Sequence, residues 1–230
     1  MIDGEALASP LLYVAGAEAG RLLSGISVDV SVAFLDDHLV VADKPSGLLS
    51  VPGRAAENRD CVVSRLQALY PDALTVHRLD MVTSGLLLHG RGKAMQIALS
   101  KLFEARQVHK RYVALVEGHL AGEAGEIDLP LRCDWDNRPR QMVDHVLGKR
   151  ALTRWRLLGY EGGCSRVELE PVTGRSHQLR LHLASIGHPI VGDDMYGAAA
   201  AARVCLHAAE LGFVHPVTRQ TLHLMSPAPF

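Results

Sequence analysis

The feature that most constrains the fold is a succession of short extended runs, with few helical stretches between them. KRYVALVEG alternates strictly, with Tyr112, Ala114 and Val116 on one side of a strand and Val113 and Leu115 on the other. VAFLDDHLVVADKP reads as two short strands around an Asp36-Asp37 turn, ending at a proline that cannot continue a ladder. Further strands are predicted at 151–158 (ALTRWRLL) and 164–170 (CSRVELE), and LHAAELGFVHP and RQTLHLM form a hairpin around a Val-Thr turn. Three stretches carry helical spacing. Residues 60–69 have Asp60 as the expected N-cap and Pro71 just beyond; 93–105 place Ala94, Ile97, Ala98, Leu102 and Ala105 on one side; SHQLRLHLASIG runs from a Ser176 N-cap to a Gly187 terminator. Strands in runs with few helices predict an α+β protein built on a large, mixed, mostly antiparallel β-sheet flanked by helices and loops.

At 230 residues and 48% hydrophobic, the chain can bury a sizeable core. Without repeat or linker, it is expected to divide into an N-terminal arm over 1–30, rich in Ala and Gly and partly disordered, and a single compact domain over 31–230. No apolar run approaches the roughly 18–20 residues of a membrane span, and Asp3 and Glu5 stand where a signal peptide carries basic residues. The expectation is a cytoplasmic monomer with no membrane partner. Cys61, Cys133, Cys164 and Cys205 lack any CxxC pairing and read as reduced thiols.

Net charge is −1, but unevenly spread. Residues 1–43 hold seven acids against Arg21, leaving 23 bases and 18 acids over 44–230, a net of +5. The bases bunch at 106–111, Arg138/Arg140, Lys149-Arg150 and Arg154/Arg156, a footprint a polyanion would recognise, although a solvated protein face can look the same.

Against that background, VHRLDMVTSG (residues 76–85) hangs a lone carboxylate, Asp80, on a polar turn between two apolar runs, beside His77 and Arg78. On its own an Asp-Arg turn is usually a solvated ion pair of little consequence. Combined with Tyr112 and Arg180 in one pocket, it becomes a reactive carboxylate: apolar walls strip water from it, one arginine keeps it charged, and a tyrosine offers a flat face and a phenol to a nucleobase.

HRLDMVTSG, HKRYVALVEG and PVTGRSHQLRLHLASIGHPIVGDDMYG resemble the signature blocks of the RluA family of pseudouridine synthases. KPSGLLSVPGR, IDLPLRCDWDNRPRQ and LHAAELGFVHP extend the likeness, which covers about residues 32–230. The resemblance implies the pseudouridine synthase fold with a central active-site cleft, and isomerisation of specific uridines to pseudouridine in structured RNA, rRNA and/or tRNA, without a cofactor. It implies that Asp80 attacks the target uridine at ribose C1′ or ring C6, that Tyr112 packs on the base and removes the C5 proton, and that Arg180 pairs with the aspartate. Arg78 matches a residue that enters the helical stack vacated by the flipped base. His77, Arg175 and His177, within the same blocks, are expected to contact substrate. The small N-terminal RNA-binding module of many family members has no counterpart in these blocks, so target choice is expected to rest on the catalytic domain.

Other readings are weaker. His177, His182 and His188 crowd one segment, but their spacing of five and six residues matches no zinc motif, and no metal is expected. His77 could serve as a general base, and Lys44, before Pro45, could pair an acid. A noncatalytic RNA-binding protein would keep the basic patches without needing the trio of Asp80, Tyr112 and Arg180. A protein kinase is suggested only by the letters HRLD, with no phosphate loop or DFG beside them.

Overall fold

The computed structural model describes residues 30–55 and 58–230, so the expected arm over 1–30 lies, except for Val30, outside the described residues. The strands are β1 (Ser31–Leu35), β2 (Leu39–Lys44), β3 (Ala73–Thr75), β4 (Ser84–Arg91), β5 (His109–Glu117), β6 (Ala124–Asp128), β7 (Leu131–Cys133), β8 (Gln141–Val143), β9 (Leu152–Glu161), β10 (Cys164–Pro171), β11 (Leu206–Val214) and β12 (Thr221–Met225). The helices are α1 (Val62–Leu69), α2 (Gly92–Glu104) and α3 (Gln178–Ser185). Ten strands join one sheet in the order β1-β2-β4-β11-β5-β10-β9-β6, with β3 added to β4 and β12 to β11, while β7 and β8 form a separate hairpin. Its pairings are antiparallel except between β4 and β11, where Ser84 lies opposite His207 and Gly85 opposite Ala208. The α+β architecture expected from the strand runs is the one found.

Helices cover both faces of one half of the sheet, and side-chain alternation decides which residue meets which helix. On β4, Leu86 and Leu88 join Met95 and Leu99 of α2, whereas Leu87 points the other way toward Val62 and Leu66 of α1. Leu39 and Val41 of β2 follow the first group, and Val40 and Ala42 the second. Burial on both sides explains why GLLLHG is an unbroken apolar run rather than an alternating one. Each of these leucines contributes roughly 1.5–3 kcal/mol by leaving water. In the other half, Ala114 and Val116 of β5 and Val167 and Leu169 of β10 pack beneath Leu179 and Leu183 of α3.

Two helix starts differ from expectation. Cys61, not Asp60, caps α1: its N–H donates to Ser64 Oγ at 3.1 Å, while both Asp60 oxygens are held by Arg65 at 2.8 and 2.7 Å. At α3 the cap is His177 rather than Ser176, in the left-handed region at φ +53°, a conformation uncommon for a residue with a β-carbon. The strands β3, β4, β6, β7 and β8 were not expected from the sequence.

Candidate active site

Asp80 sits on the loop between β3 and β4, and that loop is held by the KPSGLLS segment that follows β2. The buried Lys44 ammonium donates to the carbonyls of Pro45, Leu48 and Met81 at 2.8, 2.6 and 2.9 Å. Ser46 Oγ donates to Val82 O at 2.7 Å, and Gly47 N–H donates to Met81 O at 2.8 Å. Ser50 closes the other side, its hydroxyl donating to Leu79 O at 2.7 Å and accepting from Leu79 N–H at 3.1 Å. Within the loop, Thr83 N–H donates to Asp80 O. Every residue from 79 to 82 except Asp80 itself is thus fastened to this segment through its backbone. Lys44 pairs carbonyls rather than the acid the sequence suggested, because it is buried beneath the loop. Burial lowers its pKa to about 8, against the pull of the Asp80 charge.

Gly85 lets the loop run straight into the sheet. At φ +107° it approaches β11 so closely that an added β-carbon would lie 2.3 Å from Ala208 O. Neighbouring Ser84 Oγ bonds His207 Nδ1 at 2.8 Å and accepts from Arg203 Nη2 at 2.5 Å.

Facing Asp80 is the first turn of α3. Arg180 is 4% exposed, and two of its nitrogens, Nε and Nη2, donate to Asp193 at 2.6 and 2.7 Å. The third, Nη1, stands 3.7 Å from Asp80 Oδ2. Arg180 therefore has Asp193 as its primary partner and Asp80, the partner the resemblance implied, as its second. This division has a chemical use. The bidentate pair locks the guanidinium plane, so it supplies positive charge beside Asp80 without tying up the carboxylate in a short hydrogen bond. The left-handed backbone at His177 sends its ring into the same space, with Nε2 3.9 Å from Asp80 Oδ1 and Nδ1 2.8 Å from the hydroxyl of Tyr196. Burial holds His177 below the usual histidine pKa, and Asp80 partly offsets that. The Tyr196 ring lies under the Arg180 guanidinium at 5.1 Å, and its hydroxyl accepts from Gln141 N–H at 2.9 Å.

Tyr112, on β5, borders the same cleft, its ring packed between the core under α3 and the core under α1. Burial and then the Asp80 charge push its phenol well above the ordinary tyrosine pKa, so it is protonated at neutral pH. The cleft has a volume of about 910 Å³. Arg54, Arg78, Arg138 and Arg175 stand among its lining residues, and Arg78 and Arg175 are exposed. His77 also borders it, but its Nε2 accepts Leu88 N–H at 3.0 Å and its ring stacks on Phe103 at 4.5 Å. Burial lowers its pKa to about 3, which leaves a neutral ring serving the loop's anchorage more than the chemistry. The three histidines that raised a metal question separate: His177 meets Tyr196, His182 meets Thr153 and Leu129 O, and His188 meets Glu117 O.

The fold thus gathers Asp80 from the β3–β4 loop, Tyr112 from β5, and His177 and Arg180 from the start of α3, with Arg78 and Arg175 at the rim. Asp193 and Tyr196 complete the site and were not singled out in the sequence, whereas Lys44 was, as a partner for an acid rather than for carbonyls. Asp193 had a signal, the first acid of a Gly-Asp-Asp turn six residues past Gly187, but its value depends on a guanidinium thirteen positions earlier.

Comparison with known proteins follows the same outline. The family model for RNA pseudouridylate synthase matches residues 38–185. The dual-specificity RNA pseudouridine synthase RluA of Vibrio cholerae is 49% identical over 205 residues, covering 87% of this chain and 84% of that protein. The protein of the same name from Yersinia pestis is 48% identical, covering 86% and 99%. Among solved structures, human RNA pseudouridylate synthase domain containing 1 superposes with a TM-score of 0.74 at 28% identity, over 90% of this chain and 87% of that one. No helix among the described residues is long and apolar enough to cross a membrane. With close to half of its residues shared over most of its length with the bacterial relatives, and the fold of a solved pseudouridylate synthase, the chain belongs to the RluA family of RNA pseudouridine synthases.

Proposed function

We propose that residues 31–230 form a catalytic domain that isomerises specific uridines of large-subunit rRNA and of a tRNA anticodon stem-loop, with Asp80 as nucleophile. The observation that carries this reading is the carboxylate of Asp80 held 3.7 Å from a buried guanidinium whose other nitrogens are occupied. The two RNA classes are supported by the dual specificity in the relatives' name.

The target uridine must leave its stack to reach Asp80, at a few kcal/mol, least from a loop. Arg78, exposed at the cleft mouth, fills the space the base vacates, and the rim arginines hold the phosphates. Asp80 then attacks, at ribose C1′ or ring C6, and the bond from C1′ to N1 breaks. The uracil turns within the pocket and bonds through C5, releasing the carboxylate, while the C5 proton leaves and N1 gains one. Tyr112 packs on the ring throughout. Its phenol is a poor base while Asp80 is charged, but the covalent bond removes that charge and with it one of the two causes of the raised pKa. Arg180 and His177 stabilise the carboxylate on departure. The chemistry needs no redox partner, and the protein acts as a cytoplasmic monomer.

The test is pseudouridine mapping by carbodiimide-dependent reverse-transcription stops in RNA from cells carrying wild type, Asp80→Asn or no copy of the gene. Stops present with wild type and absent from the other two support the reading. Stops that persist with Asp80→Asn would end the role given to Asp80, and a protein that binds RNA but creates no stops would be a noncatalytic binder.

A further inference from the structure

The β7–β8 hairpin stands apart from the main sheet, and its connecting turn carries the most unusual side chain on the surface. Trp135 is 64% exposed although tryptophan is among the costliest residues to leave in water. The turn that presents it is well bonded. Asp134 N–H donates to Arg140 O at 3.0 Å, Arg140 N–H donates to Asn137 O at 3.0 Å, and Asn137 Nδ2 donates to Asp134 Oδ2 at 3.0 Å. One ring face of Trp135 carries the guanidinium of Arg138, whose carbon lies 4.7 Å from the ring centroid and whose Nε donates to Trp135 O at 3.3 Å. The same turn contributes Arg138 and Pro139 to the wall of the cleft that holds Asp80. An indole kept exposed on a braced turn, backed by a cation and continuous with the catalytic cleft, has the form of a stacking platform.

We infer that Trp135, braced by Arg138, stacks an unpaired base of the RNA substrate other than the uridine that enters the cleft. The inference rests on the function proposed above and names a second nucleotide contact for it. RNA is favoured as the occupant by continuity with the cleft and by charge. Residues 132–140 hold Arg132, Arg138 and Arg140 against Asp134 and Asp136; Arg132 is paired with Asp144 and Asp134 is engaged by Asn137, which leaves Arg138 and Arg140 beside the exposed indole. A flat aromatic face accepts any base, so the contact sets where the RNA loop lies rather than which sequence is read. It gives the hairpin a positioning role: a neighbouring base fixed on Trp135 places the target uridine over Asp80.

The chain has two tryptophans, and Trp155 packs against the core beneath α3. A Trp155→Phe protein therefore reports on Trp135 alone. Adding a tRNA transcript with uridines in its anticodon loop should quench the emission, with the saturation curve matching binding measured by anisotropy of labelled RNA. In the otherwise native protein, Trp135→Ala should raise KM about 5- to 100-fold, the range that loss of one base–aromatic stack gives, with kcat retained and Trp135→Phe largely restored. Emission unchanged at saturating RNA, or a Trp135→Ala protein with the KM of wild type, would overturn the inference. The quench reads binding alone and judges Trp135 whether or not the transcript is modified. Absence of conversion by wild type would instead count against the proposed function.

Discussion

Removing Asp193 tests how the site is wired, because that carboxylate touches no substrate in the proposed mechanism yet determines what Arg180 does. Arg180 and Asp193 have side chains only 4% and 1% exposed, joined by two hydrogen bonds of 2.6 and 2.7 Å. Asp193→Ala strips a buried guanidinium of both bonds, and breaking a buried pair from one side costs about 3–5 kcal/mol. For a chain of this length that corresponds to a fall in Tm of about 6–20 °C. The remaining carboxylate within reach is Asp80, 3.7 Å away, so the guanidinium is expected to turn onto the nucleophile and lower kcat among the molecules that stay folded. Replacing both partners together, Arg180→Met with Asp193→Leu, should recover most of the stability and none of the activity, since apolar residues of similar size need no partner. Urea unfolding followed by circular dichroism gives the stabilities, and single-turnover pseudouridine formation gives the rate. An Asp193→Ala protein within about 1 kcal/mol of wild type, or a double variant no more stable than the single, would refute this account of the pair.

A second expectation concerns acid. His89 is fully buried, with Nδ1 bonded to Leu87 O at 3.2 Å, and burial lowers its pKa to about 4 from an ordinary 6.5. The unfolded chain therefore binds a proton in this window that the folded one refuses, so the stabilisation is complete above pH 6.5 and drains away as pH falls toward about 4. Going from pH 7 to 5 should cost about 2 kcal/mol from this residue. His89→Leu should flatten the urea-unfolding profile by that amount, and parallel profiles would refute it. A third concerns Gly85, where φ is +107° and a β-carbon would lie 2.3 Å from Ala208 O. Gly85→Ala should cost at least about 1–3 kcal/mol of strain and lower the calorimetric Tm, and an unchanged Tm would show that β4 and β11 can separate without penalty.

Legibility in the sequence followed the range of the forces involved. The strands β1, β2, β5 and β9 to β12 were readable because period-2 alternation and short extended runs are local signals, and β5 was found within a residue of its limits. β6, β7 and β8 were not: AGEID and the three-residue strands of the hairpin are too short or too polar to carry a period. The cap at α1 slipped by one residue because Arg65, five positions on, captures the Asp60 carboxylate. The trio of Asp80, Tyr112 and Arg180 came from family likeness, not from any pattern of spacing. What the likeness did not convey was how the trio is held. Lys44 reaches Met81 across 37 residues and Ser50 reaches Leu79 across 29, and no local rule links a lysine before a proline to the carbonyls of a distant turn.

The parallel contact between β4 and β11 bears on when this protein becomes an enzyme. Gly85 is pressed against Ala208, more than 120 residues later in the chain, and Ser84 is bonded to His207. During synthesis the stretch bearing Asp80 leaves the ribosome more than 120 residues ahead of the strand that walls its pocket. Closing so long a loop is entropically slow relative to local helices and hairpins. A nascent chain therefore carries Asp80, the nucleophile we propose, long before its pocket is closed, and uridines of the ribosome that makes it meet an inert chain until β11 has docked.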